Sequence, residues 1–359
     1  MSNMSILSNT LTRELMGLLE KRLPPGWKVV SKGAEIKAGP GLRLDLLLEL
    51  RGPEGKKTKM LVEFKNRLEP KLVQPLMDQL RIYAKALGQE AVPMVVSPFI
   101  SPSTRQSLKE AGIPYADTTG NMWLVSSQPG LYIETQGAER NPNRENRPVQ
   151  SLKGAKAAEV VRALCDFSPP FGVVELAQKA GVDPGYTSRV LSFIDSEDLI
   201  QREPRSPITN VLWRKLIDRW SQDYSFLGSN RIIPCLEPRD INNLPQKLAD
   251  TTDSLAITGS AAAAAIAPVA PTRMIAAYVK SPEDVMERLG LKPVEAGANV
   301  LLAEPYDPVV FERVQVRDGI PYAAPSQTAA DLLTGPGRNP SEAQSLLDWM
   351  ENHESKWRT

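Results

Sequence analysis

Three charged side chains interrupt apolar segments near the start of the chain. Their spacing could bring them together in one reactive site. Asp45 lies within the apolar run of residues 42–50, and Glu63 and Lys65 lie two residues apart in the next run, residues 59–66. Residues i and i+2 of a strand share a face, so Glu63 and Lys65 project together. If the two runs pair, Asp45 can lie beside them. Two carboxylates can hold a divalent cation through oxygen, and a lysine can position water or stabilise charge on a phosphate.

Apolar periodicity predicts the elements that must position these side chains. A helix that ends before Pro24 is predicted by leucines at helical spacing, which are Leu7, Leu11, Leu15 and Leu18. The two runs, with the polar loop between them, predict a β-hairpin. The order that follows is a helix, a buried strand, a second helix and short strands, in residues 73–87, 92–99, 101–112 and 113–135. This order predicts an α/β fold with a central mixed sheet.

With two residues of the next helix added, this pattern resembles a known nuclease superfamily. Asp45 followed by Glu63-x-Lys65 after a hairpin resembles the PD-(D/E)xK superfamily. Gln79 and Tyr83 resemble the QxxxY element of its RecB-like branch. The resemblance implies a restriction-endonuclease-like mixed sheet and metal-dependent phosphodiester hydrolysis. It implies that Asp45 and Glu63 hold Mg²⁺ or Mn²⁺ and that Lys65 orients the attacking water, while Gln79 and Tyr83 support the site.

Other features of this block leave alternatives open. An acid on the first helix often supplements the metal site in the superfamily, and Glu14 is the best match, since it falls between Leu11 and Leu18 on the side expected to face inward. Residues 119–121 predict a tight turn that is structural, lines the site or contacts DNA. Glutamate and lysine two residues apart on a strand also commonly form a solvated face, and a fold does not by itself imply catalysis.

The middle of the chain has the pattern of a DNA-binding fold. Residues 153–167, 173–181 and 184–200 predict three helices, and a two-stranded wing is predicted around residues 203–207. The pattern resembles the winged helix-turn-helix of bacterial regulators of the MarR and IclR type. The residues expected to contact DNA are Tyr186, Thr187, Ser188 and Arg189 at the start of the third helix, with Arg202 and Arg205 in the wing. Because the charge of this block is nearly balanced, a winged helix that contacts protein is the alternative.

The last part of the chain is predicted to be a small α/β domain. Residues 254–280 predict a helix between two strands, entered through Gly259 and Ser260. The arrangement is similar to nucleotidyltransferase-like domains, including those joined to winged helices in the AbiEi antitoxin family. Such transferases need an acidic pair on the next strand, whereas residues 273–280 contain no acid. We therefore expect a non-catalytic relative or an accessory domain, in which Gly259-Ser260 either holds a phosphate or forms a small-residue turn.

Composition excludes several other classes of protein. The chain has 359 residues with 43 Lys and Arg against 42 Asp and Glu, which argues against a uniformly basic nucleic-acid coat but not against a local basic groove. The single histidine, His353, argues against Ser-His-Asp and Cys-His catalysis. Two cysteines, Cys165 and Cys235, cannot form a thiolate zinc cluster. Because no signal-like or membrane-spanning run is seen, we expect a cytoplasmic location and no membrane partner.

Changes in sequence texture predict three domains and two competing functions. The predicted divisions are a nuclease-like domain in residues 1–138, a linker in 139–151, a winged helix in 152–225 and a nucleotidyltransferase-like domain in 226–359. The main hypothesis is a DNA-binding, metal-dependent nuclease in genome defence or mobile-element control. The alternative is a non-catalytic transcriptional regulator or antitoxin that uses the nuclease-like fold as a scaffold, and a protein-interaction adaptor is a third possibility. DNA is the expected partner, while the oligomeric state (a homodimer is one option) and any partner toxin stay open.

Overall fold

The computed structural model describes residues 3–39, 42–86, 91–142, 151–203, 206–268 and 272–359. The chain divides into two compact units, which we call the N-terminal unit, made of residues 1–147 with 196–198, and the C-terminal unit, made of residues 148–195 and 199–359. Both units combine helices with a mixed sheet, so the α/β class predicted from the sequence is confirmed. Within the described residues, no helix combines the length and the apolar character that a membrane span requires.

The N-terminal unit is built on a seven-stranded mixed sheet whose spatial order follows the chain. Its elements are α1 (Asn3–Arg22), β1 (Lys28–Gly39), β2 (Leu42–Arg51), β3 (Lys57–Phe64), α2 (Val73–Ala86), β4 (Ala91–Ser97), α3 (Pro102–Glu110), β5 (Tyr115–Asp117), β6 (Met122–Ser127) and β7 (Gly130–Thr135). Strands β1 to β3 are antiparallel neighbours, β3 to β5 are parallel, and β5 to β7 are again antiparallel. The predicted hairpin is therefore present as β2 and β3.

Helices cover both faces of this sheet. On one face α1 packs through Leu11, Leu15 and Leu19, all of which are buried. On the other face α2 and α3 pack through side chains that include Leu80 and Leu108. The edge strand β1 was not expected from the sequence, because none of residues 28–37 is fully buried and the run lacks the apolar signal of the other strands.

The C-terminal unit begins with three helices and a short hairpin and continues into a second seven-stranded mixed sheet. The first elements are α4 (Ala155–Asp166), α5 (Val173–Ala180), α6 (Pro184–Ser196), β8 (Ile200–Gln201), β9 (Asn210–Val211) and α7 (Trp213–Ser221). The next are α8 (Phe226–Ser229), β10 (Arg231–Leu236), α9 (Leu244–Thr251), β11 (Leu255–Thr258), α10 (Gly259–Ala264), β12 (Ile275–Val279) and α11 (Pro282–Leu289). The last are β13 (Lys292–Pro293), β14 (Val300–Glu304), β15 (Gln315–Arg317), β16 (Ile320–Tyr322), α12 (Pro325–Leu333) and α13 (Asn339–Asn352), and the sheet order is β13-β10-β14-β12-β11-β16-β15.

The first helices of the C-terminal unit share one hydrophobic core with its last helices. Leu164 of α4 and Leu216 of α7 belong to the same buried cluster as Leu332 of α12 and Leu346 of α13. A fully buried arginine, Arg162, reinforces this contact through hydrogen bonds. The residues on the two sides of the predicted division after residue 225 thus belong to one packed unit.

Arg162 joins α4 to the segment that leads into α12. Its Nε pairs with Asp166 at 3.0 Å, and its Nη1 donates to the carbonyl oxygen of Val309 at 3.2 Å and to Oε1 of Gln327 at 3.1 Å. A buried guanidinium is tolerated only when its donors are matched, and here acceptors from three segments match them. These hydrogen bonds therefore fix α4 against α12 and the segment that precedes it.

Candidate functional site

The charged residues of β2 and β3 come together at one end of the hairpin. The ladder between these strands pairs Leu46 with Val62, and its register places Asp45 beside Glu63 one step further on. Oδ2 of Asp45 accepts a hydrogen bond of 2.7 Å from the backbone N–H of Phe64. The two-residue period of a strand and the short connection between the strands thus produce the carboxylate pair that the sequence predicts.

Glu63 is the centre of this cluster. Its Oε1 accepts hydrogen bonds from Nζ of Lys65 and from Nε2 of Gln79, each at 3.0 Å. The amide of Gln79 also lies 2.6 Å from the hydroxyl of Tyr83, one helical turn further along α2. The other carboxylate oxygen of Glu63, Oε2, is buried and has no hydrogen-bond partner among the described residues. All five residues of the predicted catalytic set therefore lie in one connected cluster.

Burial makes both carboxylates of the cluster harder to ionise. Burial raises the pKa of Asp45, while the backbone N–H of Phe64 and the charge of Lys65 act in the opposite direction. Burial also raises the pKa of Glu63, and the charge of Asp45 raises it further. Two desolvated carboxylates that repel each other are an unfavourable arrangement unless a cation or protons neutralise them.

The residues present fit a divalent cation held by two carboxylates. The described part of the chain contains no group of three or more His, Cys, Asp or Glu side chains placed to hold a metal. Mg²⁺ is commonly bound through only one or two carboxylates, with water and phosphate oxygens as its other ligands. The unpartnered Oε2 of Glu63 beside Asp45 offers the kind of buried oxygen that such an ion requires.

Glu14 is not part of the cluster. It is exposed on α1, whereas the buried side chains of that helix are Leu11, Leu15 and Leu19. The expectation that Glu14 faces inward is therefore wrong. The buried stripe continues from Leu15 to Leu19 rather than to Leu18, which moves its centre away from Glu14.

The turn at residues 119–121 is held by a largely buried hydrogen-bond network. Asp117 is fully buried, and its carboxylate accepts hydrogen bonds from the backbone N–H groups of Thr119 and Asn121 and from the Asn121 amide. Asn121 in turn accepts from the backbone N–H of Gly137 at 2.8 Å. A Cβ at Gly137 would lie less than 3.0 Å from the carbonyl oxygen of Thr119. The polar residues of this turn thus satisfy one another.

The residues predicted to contact DNA differ in exposure at the start of α6. Ser188 and Arg189 are exposed, and the Arg189 guanidinium lies 5.4 Å from the ring centroid of the half-buried Tyr186. Thr187 is fully buried, and its hydroxyl donates to the carbonyl oxygen of Asp183 at 3.0 Å. The expectation that Thr187 contacts DNA is therefore wrong, because its side chain is turned into the helix packing.

The predicted wing is a short hairpin that a third segment extends. Strands β8 and β9 are antiparallel, and an isolated bridge between Phe171 and Ile208 adds a connection from the loop before α5. Arg202 is largely buried and forms an ion pair of 3.9 Å with Asp195. Arg205 lies outside the described residues, so the structure does not bear on its predicted role.

The Gly259-Ser260 turn opens a six-residue helix, α10, and packs closely on its neighbour. Gly259 has a φ of +64°, and a Cβ there would lie 3.5 Å from Cβ of Ala276 on β12. The small-residue interpretation of this turn accounts for the contact. Asp331, a buried carboxylate on α12, is not among the site residues predicted from the sequence, although an acid within an apolar run is the same kind of signal as Asp45.

Comparison with known proteins finds a family match in the C-terminal part of the chain. Residues 211–350 match the AbiEi_2 family, described as "Transcriptional regulator, AbiEi antitoxin, Type IV TA system". The expected relation of the C-terminal block to AbiEi antitoxins is confirmed. Among solved structures, "Structure of EndoMS-dsDNA2 complex" is similar at 21% identity and a TM-score of 0.22, and the match covers 30% of this chain and 43%, less than half, of that chain. No curated protein matches the chain.

Proposed function

We propose that the protein is a DNA-binding transcriptional regulator of the AbiEi antitoxin kind, with α4 to α6 and the hairpin β8–β9 acting as a winged helix-turn-helix. The match of residues 211–350 to a family of transcriptional regulators carries the proposal. The order of three helices and a hairpin, placed immediately before most of the matched region, supports it. In this proposal α6 is the recognition helix, and α4 is fixed to the remainder of the C-terminal unit by the buried Arg162.

Arg189 is the side chain of α6 best suited to contact DNA. It is exposed near the start of the helix, where recognition helices meet base edges and phosphates, and its guanidinium can bond either guanine or phosphate. The ring of Tyr186 lies close to the guanidinium and limits the positions it can adopt. Ser188 adds an exposed hydroxyl beside it. We therefore expect a small number of contacts, and a modest dependence of affinity on salt, from a protein whose overall charge is nearly balanced.

The test is the selection of a preferred duplex from a random-sequence pool, followed by titration of that duplex in gel-shift assays at several salt concentrations. We expect Arg189→Gln to weaken binding by about 1–3 kcal/mol or to reduce the salt slope by about one, depending on whether it contacts a base or a phosphate. Arg239→Gln is the matched control, because Arg239 is an exposed arginine of the same unit outside α6. Failure of the wild type to bind any duplex in a salt-dependent way would overturn the proposal and favour a protein-interaction adaptor.

The cluster around Glu63 supports a second candidate function, metal-dependent hydrolysis of phosphodiester bonds. The observation that favours it is the buried, unpartnered Oε2 of Glu63 beside Asp45. In this function Asp45 and Glu63 would hold Mg²⁺ or Mn²⁺, which would supply positive charge to the scissile phosphate when bound. Lys65 bonds Glu63 and is 31% exposed, so its ammonium can also reach a water or a phosphate oxygen. Gln79 holds Glu63 in place, and Tyr83 holds Gln79.

Cleavage assays distinguish the second function from the first. Plasmid and single-stranded DNA are incubated with Mg²⁺ or Mn²⁺ and with the wild type, Lys65→Ala or the control Lys85→Ala, whose lysine is exposed on α2 outside the cluster. Cleavage by the wild type and the control, lost in Lys65→Ala, supports a nuclease. Intact DNA in every reaction, together with a retained gel shift, excludes this activity and leaves a regulator whose nuclease-like domain is a scaffold.

A further inference from the structure

A cavity of about 250 Å³ in the C-terminal unit has the lining of a small-molecule site. Its walls are largely apolar and include Phe226 of α8, Ala276 of β12 and Leu301 of β14. Its volume is slightly below the range of about 300–1,000 Å³ typical of ligand pockets, which suits an occupant of one or two rings. Phe226 is fixed edge-on against Tyr278, with ring centroids 5.6 Å apart, so one wall is a rigid aromatic surface.

Two arginines stand at the mouth of the cavity. Arg273 and Arg338 both line it and are both exposed. Nε of Arg338 is held 2.7 Å from Oε1 of Glu342, a buried carboxylate on α13. Guanidinium groups bind carboxylates and other oxyanions through charge-assisted hydrogen bonds. Glu342 balances the charge of Arg338, so the preference of the cavity mouth for an anionic group comes mainly from Arg273.

The carboxylate of Asp331 lies at the floor of the cavity and already accepts hydrogen bonds from neighbouring side chains of the protein. Asp331 is buried and accepts hydrogen bonds from the Thr258 hydroxyl, from the Tyr278 and Tyr224 hydroxyls and from Nε2 of Gln327, the last at 2.9 Å. These donors already occupy the carboxylate oxygens of Asp331, so a ligand does not have to supply a hydrogen bond to them. The negative charge of Asp331 also repels an anion, so an anionic group would stay at the mouth with the arginines.

We propose that this cavity binds a small aromatic acid. The apolar ring system of the ligand lies against Phe226 and Leu301, and its carboxylate lies at the mouth beside Arg273 and Arg338. The apolar walls and the arginines at the rim select this chemistry over a neutral ligand of the same shape. The inference does not depend on DNA binding or on hydrolysis, since it concerns a separate part of the C-terminal unit.

The test uses two probes of matched shape, naphthalene-1-carboxylate and the neutral 1-naphthylmethanol, titrated into the full-length protein by calorimetry. We expect saturable binding of the carboxylate at one site and binding at least about tenfold weaker for the alcohol, because a charge-assisted hydrogen bond contributes about 1.5–3 kcal/mol. Arg273→Gln should weaken the binding of the carboxylate probe by a similar factor. Ala276→Val narrows the cavity and lies on a strand, where β-branched residues are tolerated. It should weaken the binding of both probes.

Controls make each outcome decisive. Arg239→Gln removes the same charge from an exposed position that does not line the cavity. The affinity of this variant for the carboxylate probe should therefore equal that of the wild type. Thermal unfolding of each variant establishes that it is folded before it is titrated. Absence of saturable binding to the wild type overturns the proposal. Binding that is the same in Arg273→Gln and Ala276→Val as in the wild type places the probe elsewhere and overturns it equally.

Discussion

Gln79 on α2 donates a hydrogen bond of 3.0 Å to Oε1 of Glu63 on β3, the same oxygen that receives the ammonium of Lys65. Both donors thus bond the same carboxylate oxygen, Oε1. The other oxygen, Oε2, is buried without a hydrogen-bond partner among the described residues. A buried polar atom left in this state costs about 1–3 kcal/mol. The cluster is therefore arranged at the expense of stability, which is typical of functional sites.

The first prediction concerns the stability of the N-terminal unit without metal. Burial raises the pKa values of Asp45 and Glu63, and the charge of Asp45 adds to the effect on Glu63. Because both folded-state values are raised, the stabilisation from these groups is present at low pH and is lost as the pH rises through them. We expect Asp45→Asn and Glu63→Gln to unfold about 2–4 °C above the wild type at pH 7 in chelator. Thermal unfolding with EDTA measures the difference.

Two comparisons control this first prediction. Glu139→Gln removes an exposed carboxylate of the same unit and should leave the unfolding temperature unchanged. The advantage of the two cluster variants should shrink as the pH is lowered, because the wild-type carboxylates, whose pKa values are raised, then take up protons. An unfolding temperature for both cluster variants that is equal to or below that of the wild type at pH 7 would contradict the cost assigned to the two buried, neighbouring carboxylates.

The second prediction separates two neighbouring residues of α6. Thr187 is fully buried and Ser188 is exposed, so their truncations should act on different properties. We expect Thr187→Ala to lower the free energy of unfolding by about 1–2 kcal/mol while the folded protein keeps its affinity for DNA. Ser188→Ala should leave stability unchanged and weaken DNA binding by about 1 kcal/mol. Denaturation followed by tryptophan fluorescence and gel-shift titration measure the two effects, and the reverse pattern would refute the assignment.

The third prediction tests the turn held by Asp117. A Cβ at Gly137 would collide with the carbonyl oxygen of Thr119, whereas a Cβ at Gly130 has no neighbour closer than 3.9 Å. We expect Gly137→Ala to destabilise the N-terminal unit by about 2 kcal/mol or more and Gly130→Ala to change it by less than about 1 kcal/mol. Thermal unfolding of the two variants, side by side, gives the comparison. Equal unfolding temperatures of the two variants would contradict the prediction, because they would show that the turn accommodates the added Cβ at Gly137 without a cost in stability.

The fourth prediction concerns the buried carboxylate of the C-terminal unit. Burial raises the pKa of Asp331 to about 6, although hydrogen bonds from Thr258 and the neighbouring hydroxyls lower it in part. Stabilisation from this group is therefore present at low pH and is lost as the pH rises through about 6. Thr258→Val removes one donor to the ionised form, so it should destabilise the unit by about 1–3 kcal/mol at pH 7.5 and by clearly less at pH 5.

The readout for this fourth prediction is chemical denaturation followed by tryptophan fluorescence at the two pH values. Thr209→Val is the matched control, because Thr209 is exposed and should show no such pH dependence. A loss of stability that is the same at pH 5 and pH 7.5 would contradict ionisation of Asp331 as its cause.

The local pattern of the sequence determined the cluster at the end of the β2–β3 hairpin. Alternation along a strand places Glu63 and Lys65 on one face, and a short connection between strands brings Asp45 beside them. The spacing of four residues on a helix likewise aligns Gln79 with Tyr83. These relations depend on the stereochemistry of a few neighbouring residues, so they can be inferred without knowledge of the remainder of the fold.

Tertiary packing decided which side of an element is buried and which elements share a core. The helical pattern of α1 is compatible with Leu18 or Leu19 in the buried stripe, and only contact with the sheet selects Leu19 and leaves Glu14 in solvent. The sharing of a core between α4 and α12, and the convergence of four donors on Asp331, join residues far apart in the chain. Such burial is set by partners that no local period specifies, which is why it emerges only from the folded structure.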